Sequence, residues 1–229
     1  MAAKNIHTHV DSMTPKSDTA PIKVKVPRRR LIFGIYYQVP DQAFKRALHT
    51  ELDLIKASVE WNHDRDVILT KEVKHENDFK QAWHSIHAES QGSNFEVIQG
   101  FVFTHASKPT GERSGLEFAP NNGEDATLRR DELEALERLP WAAAARLDMR
   151  GCNTAMTGER RSWSIAEIMA KSQRVSTVGQ MGYSYFSASR SEYVEITPAS
   201  PKIYLWAFHR KKNDHFGDGS MIPAKVYTP

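Results

Sequence analysis

The sequence predicts an α/β domain built on a mainly parallel sheet with helices on both faces. Three observations predict it. Runs rich in β-branched and aromatic residues alternate with amphipathic helical runs. Such alternation argues for βαβ crossovers and hence for parallel strands. The 229 residues are 40% hydrophobic and 26% charged, enough for one sizeable core.

Residues 1–27 are polar, carry Pro15, Pro21 and Pro27, and show no period, which predicts a flexible arm. Within it, "IKVKV" (22–26) alternates and could add an edge strand. Residues 28–229 then form a single domain. "RLIFGIYYQV" (30–39) predicts a buried strand. "DQAFKRALHTELDLIKASVEW" (41–61) places Phe44, Leu48, Leu52, Ile55 and Val59 near helical spacing, with Asp41 as N-cap. "DVILTKEV" (66–73) is a second strand. "ENDFKQAWHSIHAES" (76–90) is a helix with Phe79, Trp83 and Ile86 on one face.

"FEVIQGFVFTHA" (95–106) is a third strand ending at His105, and "SGLEFA" (114–119) a short hairpin strand. "LRRDELEALERL" (128–139) is a short acidic helix. "AARLDMRGC" (144–152) is a fourth strand, "SWSIAEIMAKS" (162–172) a helix, and "RVSTVGQ" (174–180) a fifth strand. "SEYVEIT" (191–197) and "KIYLWAFHR" (202–210) predict further strands, and the tail after Lys211 a polar loop. The run "GQMGYSYFS" (179–187) predicts a Gly- and Tyr-rich loop at the rim, with Gln180, Tyr183 and Tyr185 able to wall a cleft.

Bulk properties narrow the function classes. The net charge is +3, and its excess sits in "RRR" (28–30) and "HRKK" (209–212), short runs typical of solvated surface. Nucleic acid is therefore not an expected partner. No run approaches the roughly 20 apolar residues of a membrane span. The first 20 residues lack an apolar leader core, so a cytoplasmic protein is expected, with export by a signal-independent system as the variant. One cysteine excludes an intrachain disulfide framework. His84 and His87 stand at i, i+3 without a third ligand at clear spacing, and "TGERSG" lacks the ending of a phosphate loop. Neither metal nor cofactor is expected.

That cysteine, Cys152, follows Gly151 at the end of a predicted strand, and His105 ends another. If the two strands are parallel neighbours, both side chains lie on one rim, where such sheets bind ligands. An imidazole beside a thiol can take its proton, and the thiolate is the nucleophile. A buried, inert thiol is the plain alternative. Catalysis predicts an exposed thiol of lowered pKa; an inert one predicts burial and an ordinary pKa.

"VIQGFVFTHAS" and "ARLDMRGCNTA" together resemble the two hydrophobic blocks, one ending in His and one in Gly–Cys, of caspase-like cysteine peptidases. The bacterial caspase-like group that includes the CHAT domains is the most similar. The two residues lie 47 apart, against about 50 in caspases. The resemblance spans about residues 29–210. It departs in having Ala106 after the His and Ala155 three after the Cys, where the family usually has Gly. It implies a caspase-like fold and a thiol protease with Cys152 as nucleophile and His105 as general base and acid. The N–H groups of Ala106 and Cys152 would form the oxyanion hole. Arg150, two before the Cys, would border the substrate pocket with Gln180 and favour an acidic or polar residue. The implied partners are a protein or peptide substrate and, for a delivered bacterial effector or toxin, an immunity or activator protein. An inert scaffold module and a toxin acting on a side-chain amide are the alternatives.

Overall fold

In the computed structural model the elements run β1 (Arg29–Tyr37), α1 (Ala43–Lys56), β2 (Asp66–Val73), α2 (Glu76–Gly92) and β3 (Phe95–Phe103). There follow β4 (His105–Ala106), β5 (Leu116–Glu117), β6 (Thr127–Leu128), α3 (Arg130–Ala135) and β7 (Trp141–Met149). The chain closes with α4 (Ile165–Gln173), β8 (Ser176–Gly179), β9 (Tyr183–Ser187), β10 (Tyr204–Phe208) and β11 (Lys225–Tyr227). The structure describes residues 28–40, 42–107, 114–118, 126–158, 162–208 and 222–229. The N-terminal arm, its "IKVKV" run and the Asp41 cap lie outside them.

Six strands form the main sheet in the order β11-β8-β7-β3-β1-β2. All neighbours pair in parallel except β11, which runs antiparallel to β8. The α/β class and the flanking helices therefore match expectation. Alternation along β1 explains the two layers. Leu31, Phe33 and Ile35 enter one core with Phe79, Trp83 and Ile86 of α2 and Ile165, Ile168 and Met169 of α4. Ile32 and Tyr36 enter a second core with Phe44, Leu48 and Leu52 of α1. Helix α2 starts where the Asp78 carboxylate accepts the N–H groups of Lys74 and His75, and α4 where the Ser164 hydroxyl accepts the Glu167 N–H.

Several boundaries differ from the sequence reading. Helix α1 ends at Lys56, and Val59, expected on its apolar stripe, is fully exposed. The expected third strand breaks at Thr104, and His105–Ala106 pairs instead with β5 in a separate three-stranded sheet, β4-β5-β6. The predicted fourth strand stops at Met149, leaving Cys152 in the turn beyond. The predicted loop 179–187 contains strand β9, paired antiparallel with β10. The predicted strand 191–197 makes one bridge only, Ser187 to Glu195. The buried Ser187 hydroxyl instead accepts the N–H groups of Ser189 and Val194 and donates to the Glu192 carbonyl, closing a turn. Within the polar tail, Lys225–Tyr227 adds β11 to the sheet.

Candidate active site

The site begins with register. β3 and β7 are parallel neighbours, and Val102 lies opposite Met149. Three residues on from each stand His105 and Cys152. Both therefore reach the carboxyl-end rim of the same pair of strands. The Arg150 N–H donates to the Val102 carbonyl at 2.7 Å, extending the pairing past the strand end. Gly151 then passes close under the chain before His105: a Cβ at this position would stand 2.5 Å from the Thr104 carbonyl oxygen. Only glycine permits that approach.

The turn carrying Cys152 is held from several sides. The N–H of Asn153, in left-handed backbone at φ 56°, donates to the Gly182 carbonyl at 2.7 Å, and that of Ala155 to the Gln180 carbonyl at 2.9 Å. The fully buried Thr154 hydroxyl accepts the Gln180 N–H at 2.8 Å and lies 2.9 Å from the Met149 carbonyl. The Tyr227 hydroxyl of β11 donates to the Ala155 carbonyl at 2.9 Å. Gln180 thus braces the Cys152 turn through its backbone; the residue is 5% exposed.

The Cys152 thiol is half-buried. Its sulfur accepts the Ser184 N–H of β9 at 3.2 Å and lies 3.9 Å from the Ser184 carbonyl. Burial pushes its pKa above the ordinary thiol value. The Ser184 N–H and hydroxyl and the cysteine's own N–H oppose that shift, while the Glu117 carboxylate adds to it. The Ser184 hydroxyl itself is buried, and among the described residues it meets no partner at hydrogen-bond geometry. The lowered pKa expected of an activated thiol is therefore not the resting condition.

The His105 ring is clasped by aromatic edges. Its centroid lies 4.9 Å from Phe44 of α1 and 5.6 Å from Tyr37 at the end of β1. Phe44 in turn meets Phe186 of β9 at 5.4 Å. Strand β9 therefore borders Cys152 through Ser184 and, through Phe186, meets the Phe44 ring that packs on His105. Ala106 pairs with Leu116 in β4–β5, while the next residue, Ser107, donates its N–H to the Gly115 carbonyl. Antiparallel pairs alternate, so Ala106 is a non-hydrogen-bonded pair and its N–H points away from β5.

Arg150 lies with its guanidinium 3.3 Å from the buried Asp148 and 3.8 Å from Glu51 of α1. Its Nε is buried without a partner among the described residues. Tyr185 packs on Phe208 at 6.0 Å. Four contributors escaped the sequence reading: Ser184, Thr154, Tyr227 and Glu117. Their signal is positional only, since each acts through register or a backbone bond.

Elsewhere, a groove of about 530 Å³ lies at the opposite end of the sheet, beside Arg30, Trp61, Ala142 and Ala144. It is remote from the rim where open sheets bind ligands, so its size does not make it the active site. Among the described residues no cluster of three His, Cys, Asp or Glu could hold a metal, and no helix is long and apolar enough to cross a membrane. His84 bonds Glu137 through Nδ1 at 2.6 Å. No protein-family model matches the chain, and no curated protein matches its sequence.

Proposed function

We propose that the chain is a cysteine-dependent hydrolase, a caspase-like peptidase, with Cys152 as nucleophile and His105 as its base. The observation that carries this reading is the shared rim: two chemically complementary side chains, each three residues beyond one paired position. The order of elements supports it too, with His after the third main-sheet strand and Gly–Cys after the fourth.

In the proposed reaction the Cys152 sulfur attacks the scissile carbonyl as His105 takes the thiol proton. The N–H groups of Ala106 and Cys152 receive the oxyanion. The tetrahedral intermediate collapses, the C–N bond breaks, and His105 gives its proton to the leaving amine. Water, deprotonated by His105, then hydrolyses the thioester and restores the thiol. Because burial and Glu117 raise the thiol pKa, proton transfer accompanies attack rather than preceding it. Arg150 bears on specificity: an acidic substrate side chain would replace Glu51, the more distant of its two carboxylates. Discrimination between Asp and Lys peptides tests this, and a Lys preference refutes it.

A second reading, an inert scaffold of the same fold, is favoured by the same raised thiol pKa. The rate of Cys152 alkylation by iodoacetamide against pH, in the wild type and in His105→Ala, separates the two. A coupled pair gives a fast rate that the mutation slows at neutral pH. An inert thiol gives slow, matching profiles.

A further inference from the structure

We propose that Glu117 is a positioning residue for His105, holding the imidazole towards Cys152 and stabilising the imidazolium that forms when the thiol gives up its proton. The inference rests on the Cys–His reading above.

Four observations on β4–β5 converge. Glu117 is the direct cross-strand partner of His105, and opposed residues in an antiparallel pair project to the same face, with Cβ atoms about 5 Å apart. Its neighbours Leu116 and Phe118 are fully buried in the main core, so alternation turns Glu117 to the other side. The strand is pinned there, because Ser107 and Gly115 exchange backbone and hydroxyl bonds one residue beyond. Finally, the Glu117 carboxylate acts electrostatically on the Cys152 sulfur. One carboxyl therefore bears on both members of the pair, on His105 by its cross-strand position and on Cys152 by its charge.

The chemistry gives this placement a sense. A carboxylate near a lone thiol hinders thiolate formation, and here it does so. Beside an imidazole that receives the proton, the same charge favours the product of transfer. Glu117 thus penalises a thiolate formed without His105 and favours the thiolate–imidazolium pair. Burial raises its own pKa and the Ser107 hydroxyl opposes that rise. Glu117 faces His105 across the strand pair and acts by charge on Cys152, while Tyr37 meets the imidazole from β1.

The experiment measures iodoacetamide alkylation of Cys152 at pH 6–9 in the wild type, Glu117→Gln, Glu117→Asp, His105→Ala and the Glu117→Gln/His105→Ala double variant. With His105 present, Glu117→Gln slows alkylation at neutral pH by about tenfold, the effect of one pKa unit on the imidazolium. Glu117→Asp recovers part of the rate. In the His105→Ala background the same Glu117→Gln change speeds alkylation, because only the repulsion is removed. The His105 imidazole, titrated by NMR, loses about one pKa unit in Glu117→Gln. Same-direction rate changes in both backgrounds, or an unshifted imidazole in a folded Glu117→Gln protein, overturn the positioning role and leave the dyad standing. A His105→Ala profile identical to wild type overturns the dyad itself and this role with it.

Discussion

Replacing Gly151 by Ala tests the site's geometry most directly. The new Cβ would lie 2.5 Å from the Thr104 carbonyl oxygen, whereas carbon–oxygen contacts settle near 3.3 Å, so the turn must retreat by about 0.8 Å. The atom it meets is backbone, immediately before His105, and cannot rotate away. Either the Cys152 turn or the His105 strand moves, and their separation grows. Overpacking of this kind costs about 1–3 kcal/mol. The stiffer unfolded chain offsets about 0.5 kcal/mol of that. For a domain of this size the net loss lowers Tm by roughly 1–10 °C. A displacement near 1 Å at reacting groups costs about 100-fold in rate, so alkylation of Cys152 falls towards that of His105→Ala. Gly92 is the control. It closes α2, and a Cβ there meets nothing within 4 Å. Gly92→Ala stabilises by about 0.5–1 kcal/mol and leaves alkylation unchanged. Differential scanning fluorimetry and the alkylation assay read both variants. If Gly151→Ala matches wild type in Tm and in alkylation, the close approach of the two strand ends is refuted.

Ser164→Ala removes the cap of α4 and costs about 1 kcal/mol in urea unfolding. Tyr227→Phe removes the bond to the Ala155 carbonyl and costs about 1 kcal/mol, with slightly faster hydrogen exchange in the Cys152 turn as the second readout. Asp66 is buried and paired with Arg30. Burial alone would raise its pKa, but the bonds from Arg30 and the Asn62 N–H, with the charge of Arg65, hold it below the ordinary 3.8. A depressed carboxylate contributes stability above its unfolded pKa and loses it as pH falls through the lower folded value. Asp66→Asn therefore costs about 3 kcal/mol at pH 7, the low end for breaking a buried pair because Arg30 is partly exposed. The gap to wild type narrows in urea titrations below pH 3.8; a gap constant with pH contradicts the pairing.

The sequence carried the main sheet well because its strands have period and context. "DVILTKEV" is β2 residue for residue, and Phe79, Trp83 and Ile86 face the core as their spacing requires. It also carried the two strand ends, since apolar blocks that stop at His and at Gly–Cys are local signals. What it hid is non-local. "KVY" in a polar tail holds no period, and only pairing with β8 makes it a strand. "SEYVEIT" alternates like a strand, but serine hydroxyls capture the backbone beside it. "LE" at 116–117 is too short to show alternation, so Glu117 gained meaning only when register set it opposite His105.

The raised thiol pKa does not by itself separate an enzyme from a scaffold, and the surroundings of the sulfur explain why. An inert thiol packs as a small hydrophobe and has no use for donors aimed at its sulfur. Cys152 instead takes an N–H from Ser184 at 3.2 Å, and its own N–H also favours the thiolate. Donors aimed at sulfur help little while the proton stays on. They act once charge develops, when a half-buried setting makes each worth more than in water. Burial and Glu117 oppose that charge at rest; in the proposed reaction, backbone donors and a cross-strand carboxylate would support it once the imidazole accepts the proton. On the proposed reading such a site holds Cys152 neutral until His105 engages it, and Gly151 with the paired ends of β3 and β7 keeps the two residues on the same rim.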